Sequence, residues 1–207
     1  VAMLLCAKRN LIKINETTKQ GQWKQYLFSE LSGQTVGIIG FGYIGQKVAQ
    51  KLMGFECNIV AYDVVHNEEM AEKTNTKFVD LEYLLTKSDI ICLHCPLTPE
   101  TYHLINSETL RKTKRGVIFV SEARGEVVDE VAMYDALTSG QVAYFATDVF
   151  EHEPATPDNP PILTLENVFA SSHNGGETYE NSERCGILTA KHLIDALEGR
   201  EPESRRV

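Results

Sequence analysis

Residues 40–45 read Gly-Phe-Gly-Tyr-Ile-Gly, and their setting constrains the chain more than any other feature. The apolar, β-branched run Thr-Val-Gly-Ile-Ile at 35–39 precedes them and predicts a buried strand. Residues 43–54 follow, with Ile44, Val48, Ala49 and Leu52 at helical spacing and Gly54 after the last apolar turn. A strand that enters a helix through glycines at this spacing has a physical use. Gly40 permits the tight turn, Gly42 lets the backbone approach a pyrophosphate, and Gly45 lets the helix pack against the strand. The amides of Tyr43 and Ile44 then face phosphates from the positive end of the helix. The next strand is expected over 57–62 and is followed by Asp63. A carboxylate there accepts hydrogen bonds from the adenosine ribose and repels a 2′-phosphate, which predicts NAD as the cofactor in preference to NADP.

The same alternation continues along the chain. Strands are expected at 77–79, 89–94, 116–121, 141–149 and 167–170. Helices are expected over 81–87 behind an Asp80 cap, from Asp129 to Ser139 with Gly140 beyond, and over 177–197. In the last of these Ile187, Leu188, His192, Leu193 and Leu197 recur. The proline-rich stretch 154–161 reads as loop. Seven strands interleaved with helices define an α/β fold of the Rossmann type, a doubly wound parallel sheet. The expected organisation is a lead-in helix and linker over 1–30, a Rossmann core over 31–176, and a C-terminal helix and tail over 177–207. The apolar residues 1–7 are too few to cross a membrane, and Lys8 and Arg9 sit on the wrong side for a signal peptide. They read as part of a helix that begins before the chain does, so a fragment is expected.

A net charge of −9 gives no basic face for nucleic acid, and no segment calls for a membrane. Small-molecule partners fit that balance. Five cysteines form no disulfide framework, which suits a reducing cytoplasm. Cys92-Leu-His-Cys95 has the form of a metal-binding pair, but it lies in an apolar run and no second pair completes a site. No metal is expected.

Four further segments follow the glycine motif in order: HCPLTPETYHLIN (94–106), ARGEVVDE (123–130), DVFEHEP (148–154) and SSHNGG (171–176). With them the chain resembles the D-isomer-specific 2-hydroxyacid dehydrogenases over nearly its whole length. The part resembled is that family's NAD-binding domain; its substrate-binding domain, mostly N-terminal to this segment, is absent. The resemblance implies that Arg124 grips the substrate's carboxylate and carbonyl oxygen, a task suited to a planar guanidinium fork. It implies that His173 shuttles the proton of the 2-hydroxyl while hydride passes between substrate and nicotinamide, and that Glu153 holds and charge-stabilises the imidazolium. Asp148 matches a residue near the nicotinamide. Pro96, Thr98, Glu122, Ala123, Gly175 and Gly176 are further cofactor contacts on the same ground, with Arg124 and His173 beside the cofactor. His94, His103, His152 and His192 match no catalytic position and read as structural or surface.

The chain departs from the family pattern at Ser172, which replaces the usual proline before the histidine, and at Ser121, where many members have asparagine. The implied activity is NAD-dependent interconversion of a D-2-hydroxy acid and its 2-keto acid. His-Asn-Gly-Gly-Glu-Thr-Tyr-Glu after the motif resembles phosphoglycerate dehydrogenases, and Glu153 disfavours formate dehydrogenase, which uses glutamine in that role. The alternative within the family is an NAD-sensing, corepressor-like binding protein without turnover. Dimerisation through the nucleotide domain is implied too. Met3, Leu4, Leu11 and Ile12 are expected to be underburied in a single copy, so a homodimer is expected.

Overall fold

The computed structural model describes residues 1–157 and 161–201. Positions 158–160 of the expected proline-rich loop and 202–207 of the expected tail lie outside the described residues. The strands are β1 (Thr35–Ile39), β2 (Asn58–Tyr62), β3 (Thr76–Phe78), β4 (Ile90–Leu93), β5 (Val117–Ser121), β6 (Val142–Thr147) and β7 (Val168–Ala170). The helices are α1 (Ala2–Arg9), α2 (Leu11–Lys19), α3 (Tyr43–Leu52), α4 (Glu68–Lys73), α5 (Leu81–Lys87), α6 (Ser107–Lys112), α7 (Glu130–Thr138) and α8 (Tyr179–Leu197). Two compact units result, Val1–Ser172 and His173–Val207.

In the first unit all seven strands are parallel, in the order β3-β2-β1-β4-β5-β6-β7. The chain builds outward from β1 to β3, then returns to lay β4 on the other side of β1. That reversal opens a crevice at the carboxyl ends of β1 and β4, where open α/β sheets bind ligands.

Apolar runs form these strands because both faces of the sheet are covered. Side chains alternate between two cores, as the two-residue period of a strand requires. Val36 and Ile38 of β1, Ile90 and Cys92 of β4, and Ile118 and Val120 of β5 join Val48, Ala49 and Leu52 of α3. Ile39, Ile91, Leu93 and Phe119 turn the other way, to Leu84 and Leu85 of α5 and Met133 and Leu137 of α7. Asp80 and Asp129 cap α5 and α7 by accepting the amides of Tyr83 at 2.6 Å and Ala132 at 3.0 Å.

The structure differs from the sequence reading in several places. The lead-in helix is two helices, broken at Asn10, whose left-handed backbone (φ 44°) ends α1 with its amide on the Ala7 carbonyl at 3.3 Å. Asparagine tolerates that conformation better than most residues. Met3 and Leu4, expected to be underburied, are instead buried in the same core as α3, with α1 lying on β5, β6 and β7. Leu11 and Ile12 of α2 remain exposed. Ile44, read as an apolar face of α3, is also exposed, at the open end beside the glycine loop.

Helices α4 and α6 were not expected, because six residues carry too little apolar period to show. Their caps are nonetheless local: Asn67 accepts from Met70, and Asn106 and Thr109 form a reciprocal capping box.

In the second unit, Thr178 caps α8 by accepting the Asn181 amide at 3.1 Å. Ile187, Leu188, Leu193 and Leu197 of α8 are exposed. No helix among the described residues is long and apolar enough to cross a membrane.

Candidate active site

Parallel strands put every β-to-α turn of one kind on one edge, and that edge gathers most of the residues singled out above. Gly40 follows β1 with φ +94°, and a Cβ on it would lie 2.5 Å from the Cys95 amide nitrogen. Only glycine fits both constraints. A Cβ on Gly45 would lie 2.1 Å from the Gly40 carbonyl oxygen, so the first turn of α3 sits directly on the loop. Gly42, Tyr43 and Ile44 start α3, whose first amides have no partner within the helix.

Asp63 follows β2 and does more than its position promised. One carboxylate oxygen accepts the Phe41 amide of the glycine loop at 2.6 Å, and the other accepts Val65 at 3.0 Å. It therefore braces the loop as well as presenting charge beside it. Beyond β4, Thr101 accepts the Thr98 amide and donates to the Pro96 carbonyl, both at 2.7 Å, closing the Pro96–Thr98 turn. Gly40, Tyr62, Asp63, Val64, Pro96 and Thr98 line a largely apolar cavity of about 370 Å³ between the ends of β1, β2 and β4.

Glu122, buried Ala123 and exposed Arg124 follow β5, with the Arg124 guanidinium donating to the Ala123 carbonyl at 2.7 Å. Asp148 follows β6, is buried, accepts from the Ser171 hydroxyl, and donates its amide to the Ser121 carbonyl at 3.0 Å. Glu153 lies five residues on and is exposed, with one carboxylate oxygen accepting the Phe150 amide at 3.1 Å. His173, Gly175 and Gly176 belong to the second unit. There His173 is exposed with φ 57°, and Gly176 accepts from Thr178 and Asn181.

Two residues that the sequence reading set aside or treated as a mere departure carry buried polar atoms with no protein partner: the His94 Nδ1 at the end of β4 and the Ser121 hydroxyl at the end of β5. Burial holds the His94 imidazole down to about 4, so it is neutral at pH 7. Unsatisfied polar atoms at neighbouring strand ends suit a polar ligand lying across this edge. Together with the glycine loop and the Asp63 cavity, they make the residues present a fit for a dinucleotide.

The Cys92-x-x-Cys95 pair faces opposite ways, Cys92 into the α3 core and Cys95 into the α5 core. Burial pushes the two thiols up to about 12 and about 11. Among the described residues no group of three histidines, cysteines and acids is placed to hold a metal.

A further cluster was not legible in the sequence. Glu151 accepts from the Glu130 amide at 3.1 Å and lies 3.0 Å from the His103 imidazole, while Glu130 accepts the Glu151 amide at 3.0 Å. Burial, with the Glu151 charge alongside, pushes the Glu130 carboxyl above its ordinary range.

Fold and site together define a dinucleotide-binding Rossmann domain. Residues 1–175 match the profile of the D-isomer specific 2-hydroxyacid dehydrogenase NAD-binding domain, and the chain belongs to that family. A D-3-phosphoglycerate dehydrogenase from Archaeoglobus fulgidus is 40% identical over 201 residues, which are 96% of this chain and 38% of that protein. A hydroxypyruvate reductase from Thermotoga maritima is 43% identical over 198 residues, 94% of this chain and 63% of that protein. The structure of a D-lactate dehydrogenase from Aquifex aeolicus, complexed with NAD and lactic acid, aligns with a TM-score of 0.89 and 33% identity, covering 96% of this chain and 64% of that one. The chain thus spans less than two thirds of the length of each of these relatives.

Proposed function

We propose that this chain contributes the cofactor-binding part of an NAD-dependent oxidoreductase that interconverts a D-2-hydroxy acid and its 2-keto acid. The observation that carries the reading is the succession of loops along one sheet edge: glycine loop, Asp63, the Pro96–Thr98 turn, Arg124, Asp148 and Glu153. Gly40, Gly42, Tyr43, Ile44, Gly45, Asp63, Pro96, Thr98, Glu122, Ala123 and Asp148 would hold the cofactor, with His173, Gly175 and Gly176 completing the set. Bound NAD supplies the hydride acceptor. Arg124 holds the substrate carboxylate and polarises the carbonyl oxygen. His173 takes the hydroxyl proton during oxidation and returns it during reduction, assisted by Glu153. The relatives act on different small acids by name, so the 2-hydroxy or 2-keto acid is the class of substrate proposed. All five cysteines are free, in keeping with a cytoplasmic protein.

The test is to follow NADH absorbance in the full-length protein against a panel of 2-keto acids. Oxidation with at least one acid is expected. NADH binding with no oxidation by any of them would sink the reading and leave the NAD-sensing alternative.

The position of Asp63 predicts cofactor preference. Its charge faces the cavity beside the glycine loop, where a 2′-phosphate would meet it at short range. NAD is expected to bind at least about tenfold more tightly than NADP, or ~1.4 kcal/mol. Calorimetry with both cofactors decides it, and tighter NADP binding reverses it.

A homodimer is also proposed, on Leu11 and Ile12 without Met3 and Leu4. With Met3 and Leu4 buried, the exposed large apolar side chains of the N-terminal region are Leu11, Ile12, Trp23, Tyr26 and Leu27. Exposed apolar side chains of this size suit a partner surface. Light scattering at micromolar concentration is expected to give twice the chain mass, and a monomer counts against the dimer.

A further inference from the structure

Three loops that carry or adjoin the candidate catalytic groups meet at one cluster: the turn after β4, the start of α7, and the loop after β6. Glu151 sits at the N-terminal end of α7, accepting the Glu130 amide at 3.1 Å, where the helix end favours a carboxylate. Glu130, itself buried, returns a bond by accepting the Glu151 amide at 3.0 Å. His103 closes the cluster from the third loop, its Nε2 at 3.0 Å from the same Glu151 oxygen and its amide donating to the Glu126 carbonyl at 2.8 Å. The backbones are pressed together as well, since a Cβ on Gly125 would fall 1.9 Å from the Phe150 carbonyl carbon. Arg124 immediately precedes Gly125, and Glu153 folds back onto the Phe150 amide at 3.1 Å.

We propose that His103, Glu130 and Glu151 are positioning residues, a latch that fixes the loop bearing Glu153 against the loop bearing Arg124. His103 argues for this role by its own backbone. Its φ is 48°, a conformation that glycine adopts freely and a histidine adopts under strain. A residue that only turned the chain would be better as glycine, whereas the latch requires the imidazole. The core beneath this edge is supplied by other residues, Ile105, Val127, Val128 and Met133, all essentially inaccessible. The latch is thus laid over a core that stands without it.

The inference rests on the hydride-transfer reading for its kinetic consequence and on geometry alone for the rest, so two measurements separate them. The first is amide hydrogen exchange over 148–153. In His103→Gly and Glu151→Ala, exchange in this segment is expected to rise at least about tenfold with the melting temperature nearly unchanged. Glu151→Gln keeps an oxygen for the Glu130 amide and is expected to restore most of the protection. The second is turnover of the full-length protein. His103→Gly and Glu151→Ala are expected to lower kcat at least about tenfold, as small misplacements do, with KM for NADH within twofold and Glu151→Gln close to wild type. Unchanged exchange over 148–153 in both disrupting variants overturns the latch. So does a fall in NADH affinity and melting temperature that matches the loss of kcat, because that is the mark of a general folding element. If Glu151→Ala fails to fold, His103→Gly decides. A wild-type protein with no turnover would count against the oxidoreductase reading, while the exchange measurement would still decide the latch.

Discussion

Turnover of the full-length protein is expected to fall at least about a hundredfold when His173 loses its imidazole, the loss typical of removing a general acid–base. That factor corresponds to ~2.7 kcal/mol of transition-state stabilisation. The substitution needs care, because His173 has φ 57° and alanine would add backbone strain to the chemical loss. His173→Asn is the cleaner variant: asparagine tolerates the left-handed region but cannot exchange a proton near neutral pH. Both variants are expected to lose turnover alike, which ties the effect to the imidazole and not to the backbone. Glu153→Gln should act differently. The neutral amide still accepts the Phe150 amide, so the loop keeps its bond while the carboxylate charge is removed. The variant's turnover is expected to fall, but by less than in the histidine variants, with NADH affinity unchanged. Unchanged kcat in both histidine variants would end the assignment.

How much of this was legible in the sequence depended on how local each signal was. The seven strands were readable because each is a short apolar run, buried on both faces, between turn signals. The glycine motif was readable because strand, turn and helix follow one another within some twenty residues of chain. What stayed hidden was contact across sequence. Asp63 showed as a carboxylate after β2, but not that it braces Phe41, which lies 22 residues before it. His103 and Glu151 are 48 residues apart, and nothing in either local pattern points to the other. Gly125 passed as part of an Ala-Arg-Gly string, although its lack of a side chain is what lets Phe150 approach. The apolar stripe of α1 announced a buried face but not its partner, so Met3 and Leu4 were assigned to an interface when β5, β6 and β7 already cover them. Tertiary context decided each of these, and periodicity carries no record of it.

The same division between local and distant contacts bears on what residues 1–207 do when produced alone: they are expected to bind NADH and not to turn over. Every element read as a cofactor site lies within them, from Gly40 to Gly176, and Asp63 of this same chain braces the glycine loop by accepting the Phe41 amide. The relatives are longer, with this chain spanning 38%, 63% and 64% of three of them. A keto acid also needs a wall opposite the nicotinamide, one that excludes water and aligns the carbonyl. Within these residues the anchor proposed for it is Arg124, a residue the structure leaves exposed. An exposed ion pair contributes at most about 1 kcal/mol, against the ~4 kcal/mol that even millimolar binding requires. The advantage of positioning, worth several further powers of ten, is lost with it. Turnover at least about a thousandfold below that of the full-length protein is therefore expected, with NADH affinity within tenfold. Fluorescence titration of NADH followed by an assay with the best keto acid measures both. Comparable turnover in the two would mean that the substrate site is complete within these residues. Loss of NADH binding would mean that the cofactor edge depends on contacts beyond them.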